Sequence, residues 1–231
     1  MNRLLFFHKQ AVPLKTKYTH LFFDLDGTLI DSKPGIFSSL YYTMDKLGIP
    51  ESGRPADLNA FIGPPLRVSF KTLFGFDNEM AELATITYRE YYTTQGWSQF
   101  RVFPEIPETL QWLRDHGFKL SVVTSKAELY TAPVLEKAGI SSLFQTVSGC
   151  EINGDRSEKA ELIAYTLEKL GLNPSPGILM IGDRNFDIIG ARLAGISAAG
   201  VTYGYGSREE LLSEKPVFLI DSPRQLISEI C

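Results

Sequence analysis

Little in this chain points to a disulfide framework, a polyanion or a bilayer. Its 231 residues include only two cysteines, Cys150 and Cys231, whose separation matches no metal-ligand or redox spacing. A disulfide scaffold is therefore not expected, and a reducing, cytoplasmic setting is. Lysine and arginine number 23 against 27 acidic residues, a net charge of −4. No basic patch is interleaved with aromatics, so no nucleic-acid partner is expected. No apolar run approaches the length of a membrane span, so no membrane partner is expected either. The apolar piece Leu4-Leu5-Phe6-Phe7 is too short for a signal-peptide core. Residues 1–17, with Arg3, Lys9, Lys15 and Lys17 and no acid, are expected to form a surface extension. With 44% hydrophobic and 22% charged residues, the chain can bury one large α/β core with a smaller insertion.

Among the features present, Asp24-Leu25-Asp26-Gly27-Thr28-Leu29 is the most informative, because it follows the apolar run Leu21-Phe22-Phe23. That run predicts a short buried strand, and Asp-Gly predicts a turn at its end. Crowding two carboxylates there is costly unless a cation or proton sits between them. Mg²⁺ suits the position, since it takes hard oxygen ligands, and a carboxylate beside it can act as a nucleophile and form an aspartyl-phosphate. An ordinary Asx-type turn is the structural alternative.

Downstream, Ser32 and Pro34 predict a helix start, with Ile36, Leu40, Met44 and Leu47 as its stripe and Gly48 as its stop. From Glu51 to Gly96 no strand is evident. Helices are predicted over Leu66–Leu73 and Asn78–Tyr92, the second presenting Met80, Leu83, Thr87 and Tyr91 on one face. From Phe103 onward strands and helices alternate. Strands are predicted at Lys119–Thr124, Phe144–Ser148, Gly177–Gly182, Ser197–Val201 and Val217–Ile220. Helices are predicted at Glu105–His116, Glu128–Ala138, Ser157–Leu170, Phe186–Ala194, Ser207–Leu212 and from Ser222 or Pro223 onward. This alternation predicts a Rossmann-like, doubly wound parallel sheet with helices on both faces. Ligands of such sheets bind beyond the carboxyl ends of the strands.

Polar residues collect at those ends. Thr124 closes one predicted strand, with Ser125 and Glu128 forming a capping-box pattern for the next helix. That arrangement would set a hydroxyl beside free helix amides, an anion site, although a strand-ending threonine is itself commonplace. Lys159 falls in the first turn of a helix opened by Asp155 or Ser157. A cation is misplaced there against the helix dipole unless an anion binds nearby or solvent covers it. Asp183 ends the strand before Arg184-Asn185-Phe186, and Asp187 falls in the next helix's first turn, which capping alone would also explain. Together, carboxylates from two strands, a hydroxyl from a third and a helix-borne cation equip one rim to hold a phosphoryl group and Mg²⁺.

Asp24-x-Asp26 with Gly27-Thr28-Leu29, then Thr124, Lys159, and Gly182-Asp183 with Asp187, occur in an order that resembles the haloacid dehalogenase superfamily, specifically its phosphatases. Phe61-Ile62-Gly63-Pro64-Pro65-Leu66 and Gly200-Val201-Thr202-Tyr203-Gly204-Tyr205-Gly206 further resemble the phosphoglycolate phosphatase-like branch. The resemblance covers the chain from about Tyr18 to the end. It implies an α/β core over 18–33 and 97–231 and an all-helical cap over 34–96, inserted after the first strand. It implies Asp24 as nucleophile and Mg²⁺ ligand, and Asp26 as acid/base whose main-chain carbonyl also meets the metal. Gly27, Thr124, Ser125 and Lys159 would hold the phosphoryl group, Asp183 would bind Mg²⁺, and Asp187 would support that site. The implied partner is a small phosphate ester such as phosphoglycolate, with a 5'-nucleotidase, a sugar-phosphate phosphatase or a β-phosphoglucomutase-like mutase as alternatives. The superfamily's dehalogenases lack the second Asp, so Asp26 argues against their chemistry. Arg67 is a candidate for an anionic leaving group, or a solvated arginine. A monomer and a dimer are equally compatible with the sequence.

Overall fold

A computed structural model describes residues 16–151 and 156–231; most of the expected N-terminal extension, and Asp155, lie outside the described residues. The chain opens with β1 (His20–Phe23), followed by β2 (Ile30–Asp31), α1 (Lys33–Lys46), α2 (Leu66–Phe74), α3 (Asn78–Thr94) and β3 (Arg101–Val102). Strands and helices then alternate: α4 (Ile106–Asp115), β4 (Lys119–Ala127), α5 (Glu128–Lys137), β5 (Thr146–Cys150), α6 (Lys159–Leu170), β6 (Ile178–Gly182) and α7 (Asn185–Leu193). The chain closes with β7 (Ser197–Val201), α8 (Arg208–Ser213), β8 (Leu219–Ile220) and α9 (Gln225–Ile230).

Six strands form one parallel sheet in the order β5-β4-β1-β6-β7-β8. The order reverses direction at β1, so the carboxyl end of β1 is the topological switch point where an open parallel sheet leaves a crevice. Side-chain alternation sorts the strands onto two buried faces. Leu21, Phe23, Leu120, Val122, Leu179 and Ile181 pack against Ile106, Leu110 and Leu113 of α4 and Leu226 and Ile230 of α9. Phe22, Val123, Ile178 and Met180 pack on the opposite face against Leu162, Ile163 and Leu167 of α6 and Ile188 and Ala191 of α7. Burying each such side chain is worth about 1.5–3 kcal/mol, which holds the rim residues on a rigid frame.

A third apolar cluster is built by the helical segment after β2, from Ile36, Leu40, Met44, Phe61, Phe70, Ala81, Ala84, Tyr88 and Tyr92. Phe61, Phe70 and Phe74 meet largely edge to face at 5.0–5.7 Å. The face predicted for α3 is partly wrong. Met80 and Leu83 are exposed, at 41% and 47%, while Ala81, Ala84, Tyr88 and Tyr92 face inward. The stripe through Met80, Leu83, Thr87 and Tyr91 overlooked the alanines, whose small size lets the neighbouring helices approach, and Tyr88 and Tyr92, whose rings stack on each other at 5.5 Å. Thr87 is buried as expected.

The two chain crossings between this segment and the sheet are pinned together. β2 pairs antiparallel with β3 through Ile30–Val102 and Asp31–Arg101, a small sheet the sequence reading did not contain. Gly35 N–H donates to the Gln99 carbonyl at 2.9 Å. A Cβ on Gly35 would stand 2.0 Å from the Gly96 carbonyl oxygen, so the crossing requires glycine there.

Candidate active site

The site assembles at the carboxyl end of β1. Asp24 continues that strand, its N–H donating to the Ile181 carbonyl at 2.9 Å. The chain then turns tightly, with the amides of Thr28, Leu29 and Ile30 all directed at the Leu25 carbonyl. Gly27 adopts φ +86°, and a Cβ there would meet Asp183 Oδ2 at 2.2 Å. Glycine is thus required both for the turn and for the approach of Asp183.

Lys159 is the first residue of α6 and is buried. Its Nζ lies 2.8 Å from Asp24 Oδ1 and 2.8 Å from Asp187 Oδ1, and donates to the Val123 carbonyl at 3.0 Å. This resolves the misplaced cation at a helix start, because carboxylates from two other elements reach it. Burial works to lower the lysine's pKa, but Asp187 and Asp24 outweigh it and raise it above the ordinary value. Burial pushes Asp24 up to about 6, against the attraction of Lys159 and with Asp187 adding to the rise. Asp183 is fully buried, and burial raises its pKa well above the carboxylate range, helped by Asp187 and Asp24 and opposed by the Tyr205 N–H.

Asp24, Asp183 and Asp187 each bring an oxygen within 4.8 Å of the others. Asp187, expected only to support this site, contributes an oxygen of its own. Its Oδ2 accepts from Arg184 N–H at 3.1 Å, while Oδ1 is an ion-pair partner of Lys159 without hydrogen-bond alignment, leaving a buried acceptor unmet. Three buried carboxylates against one ammonium leave residual negative charge, and the donors are all oxygen. That set fits a hard divalent cation.

Asp26 stands apart from the triad. Its carboxylate is gripped by Lys126 Nζ at 2.7 and 3.0 Å. Lys126 was not singled out in the sequence, although a lysine two residues beyond Thr124 at a strand end was a visible signal. Its side chain is largely enclosed, and its Nζ also lies 5.3 Å from the ring centre of Tyr92 on α3.

Thr124 is buried at the rim, its Oγ1 accepting from Lys126 N–H at 3.2 Å. The capping-box expectation fails here. β4 runs on through an irregularity to Ala127, so α5 opens at Glu128 and its N-cap is Ala127. Ser125 instead donates to the Ser157 carbonyl at 3.0 Å, joining β4 to the start of α6. Pairing with β5 keeps the chain extended through Ala127, past the strand end expected at Thr124, so Ser125 cannot cap the helix, which does begin at Glu128 as predicted. The N-cap of α6 is Glu158, not Ser157.

These groups open into a cavity of about 790 Å³. Asp24, Asp26, Thr124, Ser125, Lys159 and Asp187 line its floor, and Phe61, Arg67, Tyr88 and Tyr92 face it from the helical segment. Arg67 does reach this cavity, with Glu82 3.7 Å away, and its side chain is half exposed. Arg184 bridges the two parts, pairing with Glu210 at 2.8 Å and donating to the Ile62 carbonyl.

A parallel α/β sheet with a carboxylate–lysine rim at its switch point is equipped for phosphoryl chemistry. Residues 21–201 match the family described as haloacid dehalogenase-like hydrolase, and the chain belongs to it. It is 40% identical over 200 residues to a 5'-nucleotidase of Pseudomonas aeruginosa, covering 87% of this chain and 90% of that protein. It is 30% identical over 217 residues to a phosphoglycolate phosphatase of Vibrio vulnificus, covering 90% and 94%. A predicted phosphatase of Clostridium acetobutylicum superposes with a TM-score of 0.85 at 37% identity, over 92% of this chain and 98% of that one. Within the family the chain is a phosphatase, an enzyme of small phosphate esters. No helix among the described residues is long and apolar enough to cross a membrane.

Proposed function

We propose that the chain is a Mg²⁺-dependent phosphomonoesterase working through an aspartyl-phosphate on Asp24. One observation carries the reading: Asp24, Asp187 and a separately held Asp26 share the floor of one cavity, with the buried Asp183 completing a carboxylate triad with Asp24 and Asp187. Asp24 Oδ attacks phosphorus and the ester oxygen leaves with a proton from Asp26. Water, deprotonated by Asp26, then hydrolyses the acyl-phosphate and restores both carboxyl groups. Lys159 and Thr124 hold phosphoryl oxygens, with Gly27 and Ser125 shaping the loops around them. Mg²⁺ at Asp24, Asp183 and Asp187, with the Asp26 carbonyl, would supply positive charge against the phosphoryl oxygens. Residues 34–96 act as a cap that excludes bulk water and selects the leaving group.

A cavity of about 790 Å³ is in the range that encloses drug-sized ligands, larger than phosphoglycolate requires. Val68 and the ring of Phe186 line it with exposed apolar surface. Both features, with the relative named a 5'-nucleotidase, support a nucleoside 5'-monophosphate over phosphoglycolate.

A panel of phosphoglycolate, nucleoside monophosphates and sugar phosphates, assayed for phosphate release with Mg²⁺ and with chelator, tests the reading. Metal-dependent release, highest for a nucleotide and reduced to background in Asp24→Asn, is expected. Several per cent of activity remaining in Asp24→Asn, or full activity with chelator, would refute the mechanism. Isomerisation of a sugar phosphate without phosphate release would identify a mutase instead.

A further inference from the structure

The loop between β7 and α8 lies directly on Asp183. A Cβ on Gly204 would stand 2.3 Å from Asp183 Cβ and 2.4 Å from the Gly27 carbonyl oxygen, and one on Gly206 would stand 2.1 Å from the Asp183 carbonyl oxygen. Nothing larger than glycine fits at either position, so the intervening Tyr205 has its backbone pressed against the carboxylate triad. Its N–H donates to Asp183 Oδ2 at 2.8 Å.

The side chain of the same residue reaches the crossing between sheet and helical segment. Tyr205 OH accepts from the Ser32 N–H at 2.7 Å, donates to Asp31 Oδ1 at 3.0 Å, and lies 3.3 Å from Ser32 Oγ. The phenol's single proton and its acceptor capacity are therefore all used. Lys33 Nζ lies 4.7 Å from the ring centre, and the ring packs against the apolar cluster of the helical segment. Asp31 and Ser32 form the first crossing, and β2 fastens them to β3 on the second. One residue thus touches the proposed metal site with its backbone and the proposed hinge with its hydroxyl.

We infer that Tyr205 is a positioning residue that couples the Asp24–Asp183–Asp187 cluster to the cap hinge, so that a divalent cation in the cluster stiffens the Asp31–Ser32 crossing. The inference rests on the divalent-cation reading above. An ion that fixes Asp183 removes the freedom of the Tyr205 amide bonded to it, and with it that of the hydroxyl holding Ser32. Coupling of this kind is reciprocal: a stiffer hinge favours the occupied cluster.

The Ser32 amide reports directly, because its acceptor is the Tyr205 hydroxyl. Amide hydrogen exchange on the full chain, with and without Mg²⁺ and relative to sheet amides such as Leu179, reads the coupling, while calorimetry reads Mg²⁺ binding separately. In the wild type Mg²⁺ is expected to slow Ser32 exchange about fivefold to tenfold beyond the sheet reference. In Tyr205→Phe, which keeps ring and backbone, exchange should be fast and insensitive to Mg²⁺ although the ion still binds. Asp31→Ala, which removes the acceptor at the hinge end, should reduce the Mg²⁺ effect and supplies the reading should Tyr205→Phe not fold. A purely structural tyrosine would speed exchange equally with and without the ion. Mg²⁺ that binds yet leaves wild-type Ser32 unchanged, or protects it equally in Tyr205→Phe, overturns the inference; failure of Mg²⁺ to bind at all overturns the metal reading on which it stands.

Discussion

Replacing Lys159 with methionine keeps a long side chain in the buried slot and removes the charge. Nζ now faces Asp24 and Asp187 at 2.8 Å each and the Val123 carbonyl at 3.0 Å. Removing one partner of a buried ion pair costs about 3–5 kcal/mol, because the other charge is left uncompensated. The carboxyls can escape by taking protons, which bounds the cost. For Asp24, with an ordinary value of 3.8, protonation at pH 7.5 costs about 5 kcal/mol, the difference of the two at about 1.36 kcal/mol per pH unit. The native fold already bears about 3 kcal/mol of that, since Asp24 is pushed from 3.8 to about 6. The lysine's effect through Asp24 is therefore at most about 2 kcal/mol, with the rest arising at Asp187. At roughly 2–4 °C per kcal/mol, metal-free Tm should fall by about 6–20 °C at pH 7.5.

The pH dependence has a definite sign. The folded-state pKa of Asp24 lies above its unfolded value, so this group's contribution to stability is largest below about pH 4 and declines until about pH 6. Without Lys159 the folded-state value rises further, and the decline continues above pH 6. The gap between variant and wild type should thus be small at pH 5.5 and widen toward pH 7.5. Thermal unfolding followed by circular dichroism in chelator, at both pH values, measures it. An unchanged Tm at pH 7.5, or the same gap at both, would refute the electrostatic account of Lys159.

Gly27→Ala places a methyl 2.2 Å from Asp183 Oδ2 at φ +86°; Mg²⁺ affinity by calorimetry should fall by at least about tenfold, since strain and displacement of a ligand combine, and unchanged affinity would remove Asp183 from the metal set. Arg67→Ala should raise KM for an ester with an anionic leaving group, such as phosphoglycolate, with much less effect on p-nitrophenyl phosphate. Equal effects on both would leave Arg67 as no more than the partner of Glu82.

The rim chemistry was legible because each of its residues sits where a strand or helix signal ends. Leu21-Phe22-Phe23 before Asp24, and Ile178–Gly182 before Asp183, mark strand ends by apolar runs that stop abruptly. Local signals failed where tertiary pairing decided the outcome. β4 continues past Thr124 because Ala127 still pairs with Cys150 of β5, and no property of Ser125 or Glu128 announces a neighbour from another part of the chain. The inward face of α3 was misread because Ala81 and Ala84 bury there by their small size and Tyr88 and Tyr92 by stacking on one another, which a stripe drawn through Met80, Leu83, Thr87 and Tyr91 does not register.

The sequence by itself determined the alternating α/β plan, the order of the four carboxylate, hydroxyl and lysine motifs, and a helical insertion after the first strand, because periodicity and turn chemistry are local. Only the tertiary structure decided who meets whom. Lys159 stands between Asp24 and Asp187, Lys126 grips Asp26 from 100 residues away, and Tyr205 reaches Ser32 from 173 residues away. Those partnerships depend on sheet order and on glycines thin enough to let loops touch, and both are properties of the packed chain.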